Sequence, residues 1–328
     1  MKTCSDKNSY KNIGCALNNG LQQAKVLYHI TGYKDSLQFM WLFLAIYNKQ
    51  DLFIIHVDEK SPEKIHQEFR RCTGFQQNVT FLPSQPVVWG GNGLIDVEGQ
   101  AIKYGLKNDP EWTHFVNLSA QDYPLIAPDE IRNRLKQSWP SNYVLCNDIR
   151  GVHWRIRKRR LFRYMKIGGQ RTFTPVPKFK PRGLEIRWVG PWWHILTRDF
   201  CSWLVSSDKP KRYLAFLRSA GMPDEMLIQN TIMDSPFRDH HISCCKHEII
   251  WRRPDESISA SARPSILLVD DLPRLEASEA FFARKFDHSV DHEVLTALAE
   301  RNQFAQPSGA EFLNSEPLPA SRTATLEF

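Results

Sequence analysis

Leu52 to Ser61 reads LFIIHVDEKS, and the rest of the chain can be interpreted outward from it. Its first six residues, Leu52 to Val57, are almost wholly apolar and rich in β-branched side chains, the pattern of a strand buried on both faces of a parallel sheet. The run stops abruptly at Asp58, Glu59 and Lys60. In an open α/β sheet, ligands bind in the crevice outside the carboxyl ends of the strands, so Asp58 stands where a nucleotide base or ribose could be held. A solvated loop carboxylate is the plain alternative.

On either side the same grammar repeats. Lys25 to Ile30 (KVLYHI) reads as a strand followed by a Thr31-Gly32 turn, and Ser36 can cap a helix through Tyr47 that is apolar nearly all round. Pro62 opens a second helix to about Arg71, and Val79 to Leu82 makes a third strand. Strand, helix, strand, helix, strand predicts a doubly wound parallel sheet. Val87-Val88-Trp89-Gly90-Gly91 follows, where glycines let backbone approach a ligand and Trp89 offers a flat face to a base or sugar, or else closes the core. A helix is expected from Leu94 to about Leu106 and a strand from His114 to Leu118. That strand ends in Ser119-Ala120-Gln121-Asp122-Tyr123-Pro124, which places Asp122 at a second carboxyl strand end. A helix from Pro128 to about Gln137 and a strand from Asn142 to Cys146 complete this half.

With 328 residues and 42% hydrophobic content the chain can bury a substantial core. A formal charge of +7 favours an anionic partner without saying which. Seven cysteines at unrepeated spacings do not read as a disulfide framework, and a reducing compartment is the simpler reading. The opening MKTCSDKNSYKNIG has no apolar signal-peptide core, and the most apolar run, Phe39 to Tyr47, is far short of the roughly 20 residues that span a bilayer. The expected setting is cytoplasmic, with peripheral contact at an inner membrane as an option. The sequons at Asn78 and Asn117 are then chance.

From Arg150 to Arg187 the character changes. RGVHWRIRKRRLFRYMK carries eight Arg or Lys with His153, Trp154 and Tyr164 interleaved. Basic plus aromatic fits a nucleic-acid surface, an anionic glycan, a membrane phosphate, or merely a solvated face. A strand enters after Gly190-Pro191-Trp192-Trp193, with helices over 198–206 and 210–220. Pro223, Asp224 and Glu225 then stand at the start of a helix to about Met233, where the helix dipole would favour one acid more comfortably than two. Asp239 to Glu248 (DHHISCCKHE) is the one place a zinc site could be proposed, but its spacings match no familiar motif and no metal is expected there. A strand from Arg263-Pro264 to Val269 and a helix over 270–278 lead to Phe281-Phe282-Ala283-Arg284-Lys285-Phe286. There, phenylalanines can fix the backbone while two cations project. A last helix is expected over 290–301.

FIIHVDEKS, VVWGGNGL, FVNLSAQDYPL, GPWWHILTRDF, MPDE and FFARKFD occur in that order. Together they resemble the core-2/I-branching β-1,6-N-acetylglucosaminyltransferase family, with its peptide O-xylosyltransferase relatives, over residues 25 to about 300; a bacterial-type member is expected. The resemblance implies a GT-A-type α/β fold, a mostly parallel sheet flanked by helices. Polar, aperiodic composition makes 1–23 a flexible leader and 304–328 a disordered tail, with a single domain between them (24–303, with nucleotide-binding residues 24–148 and acceptor or catalytic residues 149–303). The resemblance implies an inverting glycosyltransferase that moves a GlcNAc- or xylose-class sugar from a UDP-sugar to a hydroxyl of a glycan, without a metal cofactor, and the basic segment adds a lipid-linked glycan as an acceptor candidate. Asp58 and Trp89 would hold the uridine side, Glu225 would be the base, and Arg284 with Lys285 would hold the diphosphate; Asp122, Trp193 and Asp224 are further substrate-binding candidates. The chemistry agrees with that assignment. A departing diphosphate gathers negative charge that a cation must stabilise, and the chain has no Asp-x-Asp pair to carry a divalent ion. No nucleic-acid partner is expected and surface polysaccharide synthesis is the expected role, with a non-catalytic nucleic-acid- or glycan-binding protein as the alternative. Peripheral membrane contact is assigned to residues 150–166.

Overall fold

The computed structural model describes residues 24–307 other than 75, 152–156, 160, 161, 169 and 252–263. The expected leader over 1–23 and most of the expected tail lie outside the described residues. The first half runs β1 (Val26–Gly32), α1 (Ser36–Ile46), β2 (Leu52–Val57), α2 (Glu63–Cys72), β3 (Val79–Phe81), α3 (Gly93–Asn108), β4 (His114–Ser119), β5 (Asp122–Pro124), α4 (Pro128–Gln137), β6 (Asn142–Val144) and β7 (Asn147–Asp148). The second half adds β8 (Phe162–Ile167), β9 (Gln170–Pro177), β10 (Trp188–Val189), β11 (His194–Thr197), α5 (Arg198–Ser206), α6 (Asp208–Leu217), α7 (Leu227–Met233), β12 (His241–Ile242), β13 (His247–Ile249), α8 (Leu272–Glu276), β14 (Phe282–Arg284) and α9 (Glu293–Asn302).

Seven strands form the central sheet in the order β12-β6-β11-β4-β1-β2-β3. β1 is buried along its whole length and pairs in parallel with β2 and β4. The β2–β3 and β6–β12 pairs are also parallel, whereas β11 runs antiparallel to β4 and β6. The sheet is therefore mostly parallel, as the unbroken apolar runs require: helices cover both faces, so successive side chains have nowhere polar to point. Tyr28 and Phe53 stack at 5.2 Å on the α1 face among Phe39, Phe43 and Phe69. Leu27, Ile54 and Phe115 pack on the other face with Phe200 and Trp203 of α5. Full burial of each such side chain stabilises the fold by ~1.5–3 kcal/mol. No helix among the described residues is long and apolar enough to cross a membrane.

Several local expectations are corrected. Asp35, not Ser36, caps α1: its Oδ1 accepts from Gln38 N at 3.0 Å. The expected strand over 263–269 forms no ladder in its described part: Pro264 has no N–H to give, and Ser265 N and Leu267 N reach the carbonyls of two different neighbours, Ile250 and Lys285 (both 2.8 Å). The expected helix over 270–278 shrinks to a 3-10 turn at Val269–Asp271 and the short α8. The basic segment, for which periodicity assigned no element, contains the antiparallel hairpin β8–β9. Asn117 lies fully buried in β4, so its sequon cannot carry a glycan in the folded chain. The five described cysteines are unpaired.

A second, small sheet, β13-β14-β5, matters most for the site. β14 pairs in parallel with β13 and antiparallel with β5, in a register that sets Arg284 opposite Asp122.

Candidate active site

Asp58 ends β2 where the sequence places it. It is buried, and its carboxylate accepts from Lys60 N (3.0 Å) and Val87 N (3.3 Å), while Lys60 Nζ reaches Val87 O at 2.8 Å. Asp58 thus ties the loop after β3 to the end of β2. Two residues on, Trp89 is 68% exposed, which excludes the core-closing alternative and leaves its ring open to a flat ligand. Gly90 adopts φ +68°, and its carbonyl accepts from Met222 N at 3.1 Å. A Cβ at Gly90 would come within 2.7 Å of Met222 Sδ, so glycine is what lets this loop rest on the acidic turn that follows Met222.

That turn is not the start of a helix. Pro223–Glu225 form a single 3-10 turn, with Glu225 N bonded to Met222 O (3.2 Å) and Met226 N to Pro223 O (3.1 Å). Met226 at φ −135° then interrupts the chain before α7 begins at Leu227. The two acids part company here. Asp224 is buried, its Oδ1 has no hydrogen-bond partner, and burial together with the neighbouring Glu225 charge pushes its carboxyl up to about 8. The side chain of Glu225 keeps a quarter of its surface, and its Oε2 pairs with Arg159 Nη1 at 2.7 Å. Burial raises the Glu225 pKa, and the Arg159 guanidinium acts against that rise. One carboxyl is held neutral near pH 7 while the reachable one has a cation favouring its ionised form, a division of roles that suits acid–base chemistry.

The cationic end is built on β14. The ring of Trp193 lies 4.3 Å beneath the Arg284 guanidinium carbon, and Arg284 Nη1 donates to Ser119 Oγ (2.5 Å) and Asp122 Oδ1 (2.8 Å). Asp122 is fully buried, so it does not face the crevice as its strand-end position suggested. Both its oxygens are engaged: Oδ2 also accepts from Ser119 N (2.8 Å) and Trp193 Nε1 (2.9 Å). Burial would raise the Asp122 pKa, but the Arg284 charge, His247 and the Ser119 N–H outweigh it and hold the carboxyl below its ordinary value. Asp122 and Trp193 therefore position Arg284. Lys285 follows, half-buried, its carbonyl accepting from Leu267 N at 2.8 Å.

One short segment touches both ends. Gly190 N donates to Glu225 O at 3.0 Å, and three residues later Trp193 carries Arg284. Beneath it, Asn117 Nδ2 donates to Trp192 O (2.8 Å) and Glu98 Oε2 (3.1 Å), while Asn117 Oδ1 accepts from His194 N (2.8 Å). His194 Nε2 lies 3.2 Å from Glu98 Oε1. This buried polar network joins α3, β4 and the Trp192 loop and fixes where the two ends stand.

Sequence reading missed three participants. Ser119 lay inside a quoted motif but drew no role. Arg159 was one cation in a long run, and nothing local marked it as the partner of Glu225. His247 was weighed only as a metal ligand; it stacks on Phe282 (5.3 Å) with Nε2 3.6 Å from Asp122 Oδ2. The other residues of 239–248 are used separately, His241 on Val144 O (2.7 Å) and Cys244 Sγ on Lys246 N (3.3 Å). Among the described residues, the grouping with metal-ligating separations is Asp35, Asp287 and His288 instead. Asp35 is already the α1 cap, and Lys34 Nζ stands 3.7 Å from Asp287.

The model of the Core-2/I-Branching enzyme family matches residues 26–276. A human protein named probable β-1,3-galactosyl-O-glycosyl-glycoprotein β-1,6-N-acetylglucosaminyltransferase 7 is 25% identical over 291 residues, covering 84% of this chain and 67% of that protein. Xylosyltransferase 2 of Bos taurus is 27% identical over 289 residues, and a xylosyltransferase of Ciona intestinalis 26% over 294; each alignment covers 84% of this chain but 33% of the relative. The chain thus spans about two thirds of the first relative and one third of the other two. The matched region holds the whole seven-stranded central sheet, the acidic turn and the Trp193 segment, and on that ground the chain belongs to the Core-2/I-Branching enzyme family.

Proposed function

We propose that this chain is an inverting glycosyltransferase that moves a GlcNAc- or xylose-class sugar from a UDP-sugar to a hydroxyl of a glycan or lipid-linked glycan, without a metal ion, in surface polysaccharide synthesis. The observation that carries the reading is the Gly190–Trp193 segment, which bonds at one end the backbone of Glu225, the residue with the reachable carboxylate, and stacks at the other on the Arg284 guanidinium. Those are the two groups a single displacement needs.

Glu225 takes the proton of the attacking hydroxyl as its oxygen bonds to the anomeric carbon. The bond from that carbon to the diphosphate oxygen breaks on the opposite face, and its electron pair leaves with UDP. Arg284 and Lys285 stabilise that charge, Arg284 as a preorganised donor whose angle is set by Asp122 and Trp193. Trp89 and Asp58 receive the uridine. Neutral Asp224 leaves proton transfer to Glu225.

UDP release with a panel of UDP-sugars tests the reading. Release from one of them should survive EDTA and should fall by ~10²–10⁴ in Glu225→Gln. Loss of activity with chelator, restored by a divalent ion, would overturn metal independence; full activity in Glu225→Gln would overturn the assigned base.

A further inference from the structure

The site uses little of the basic segment, and the part left over forms a surface of its own. From Arg150 to Arg182 the chain carries twelve Arg or Lys and no Asp or Glu. The inner face of the β8–β9 hairpin is firmly docked. Phe173 packs edge-on to Phe162 (5.4 Å) and Tyr164 (5.7 Å) beneath Lys158 Nζ (4.8 Å), and Tyr164 N donates to Ser219 O at 2.8 Å. The Tyr164 ring lies so close over Gly221 that a Cβ there would sit 2.7 Å from it.

The outer side is unlike an ordinary solvated face. Met165 and Ile167, two residues apart on one face of β8, are each more than half exposed, Val176 nearly half, and Phe179 88%. Beside them Arg163, Lys178 and Arg212 line a cleft of about 400 Å³ with Phe179, Pro181 and Phe216, and no carboxylate lines it. Lys178 Nζ is braced on Phe216 O (2.6 Å) and Arg212 Nη2 on Arg182 O (2.6 Å), which holds both cations at the cleft.

We propose that this face docks on an anionic phospholipid surface, the cleft taking a lipid phosphate while Met165, Ile167, Val176 and Phe179 enter the boundary between headgroups and acyl chains. Cations alone would suit any polyanion; exposed aliphatic side chains among them suit a surface that is charged outside and apolar a few ångströms in. A nucleic acid would call for a series of open rings to stack on; here Phe179 is widely open, Phe173 keeps 40% of its surface, and Phe162 and Tyr164 pack edge-on against Phe173. The contact is thereby moved from residues 150–166, several of which lie outside the described residues, to 163–182 and α6. Because Arg159 and Tyr164 also hold the acidic turn, docking would bring Glu225 close to the membrane plane.

The test is co-sedimentation of the full chain with vesicles, read without turnover and so independent of the donor and acceptor. Vesicles with roughly one third phosphatidylglycerol should bind it and pure phosphatidylcholine should not, with binding weakened by salt. Each cation near the surface is worth about five-fold in partitioning, so Arg163→Gln, Lys178→Gln and Arg212→Gln together should lower it ~100-fold. Ile167→Ser with Phe179→Ser should lower it ~10-fold or more and leave melting temperature and UDP release unchanged, since neither side chain packs in the core. If the cation triple fails to fold, the apolar pair decides alone. Equal binding to neutral vesicles, no effect of the apolar pair, or an RNA oligomer or heparin that binds more tightly than the anionic vesicles would each overturn the proposal.

Discussion

Asp122→Asn changes one buried oxygen to an NH₂ group, and the surrounding geometry sets the cost. The carboxylate is fully buried and accepts from four donors, among them Arg284 Nη1 and Trp193 Nε1. Asparagine has one acceptor oxygen, so its NH₂ must face a donor, and the Arg284 guanidinium, itself mostly buried, loses its counter-charge. Breaking one partner out of a buried pair costs ~3–5 kcal/mol. For a domain of this size that corresponds to a fall in melting temperature of about 6–12 °C. The sign of the pH dependence comes from the carboxyl's lowered pKa. Its contribution is complete above the unfolded value near 3.8 and is lost only as pH falls through the folded one, so the gap to the unsubstituted chain should stay constant from pH 5 to 8. Turnover should fall by at least ~10-fold in folded variant, because Arg284 no longer has a fixed angle to the leaving group. Thermal melts across that pH range, paired with UDP release, read both effects. A melting temperature within 2 °C of the unsubstituted chain, or a gap that varies between pH 5 and 8, would refute the reasoning.

Arg159→Gln removes the cation that opposes the rise in the Glu225 pKa, so the acid limb of kcat/KM should move to higher pH with the alkaline plateau nearly kept; an unmoved limb would show that the pair does not tune the base. Trp89→Ala should leave melting unchanged, since the ring is exposed, and raise donor KM about 5- to 150-fold for the loss of ~1–3 kcal/mol of base stacking. His29, His56 and His114 are buried, which lowers them to about 4, 3 and 3. Their stabilising neutral forms are fully available above pH 6.5, and each costs ~2 kcal/mol by pH 5, about 6 kcal/mol together, so stability measured by urea unfolding should drop steeply between those pH values. A flat urea midpoint from pH 7 to 5 would count against this.

The sequence by itself determined the elements and the edge on which chemistry stands. LFIIHV and KVLYHI are apolar without alternation, and only strands covered on both faces can hide such runs, so a mostly parallel sheet with Asp58 at its carboxyl edge was legible from composition along the chain. The exposure of Trp89 was left open by the sequence, and the loop that carries it is held by Met222, which packs on Gly90 from 132 residues away. Only the tertiary structure could separate Asp224 from Glu225, because adjacent residues share a sequence environment but not a solvent one: one is buried with its Oδ1 unpartnered and the other meets Arg159. Likewise, the strand-end position of Asp122 suggested a ligand contact. Its actual role comes from the register of β14 against β5, a pairing of residues 162 positions apart that no local pattern encodes, and that register turns the carboxylate inward to hold the arginine. Periodicity reports how much of a side chain must be hidden; which charge it meets once hidden is fixed by long-range pairing.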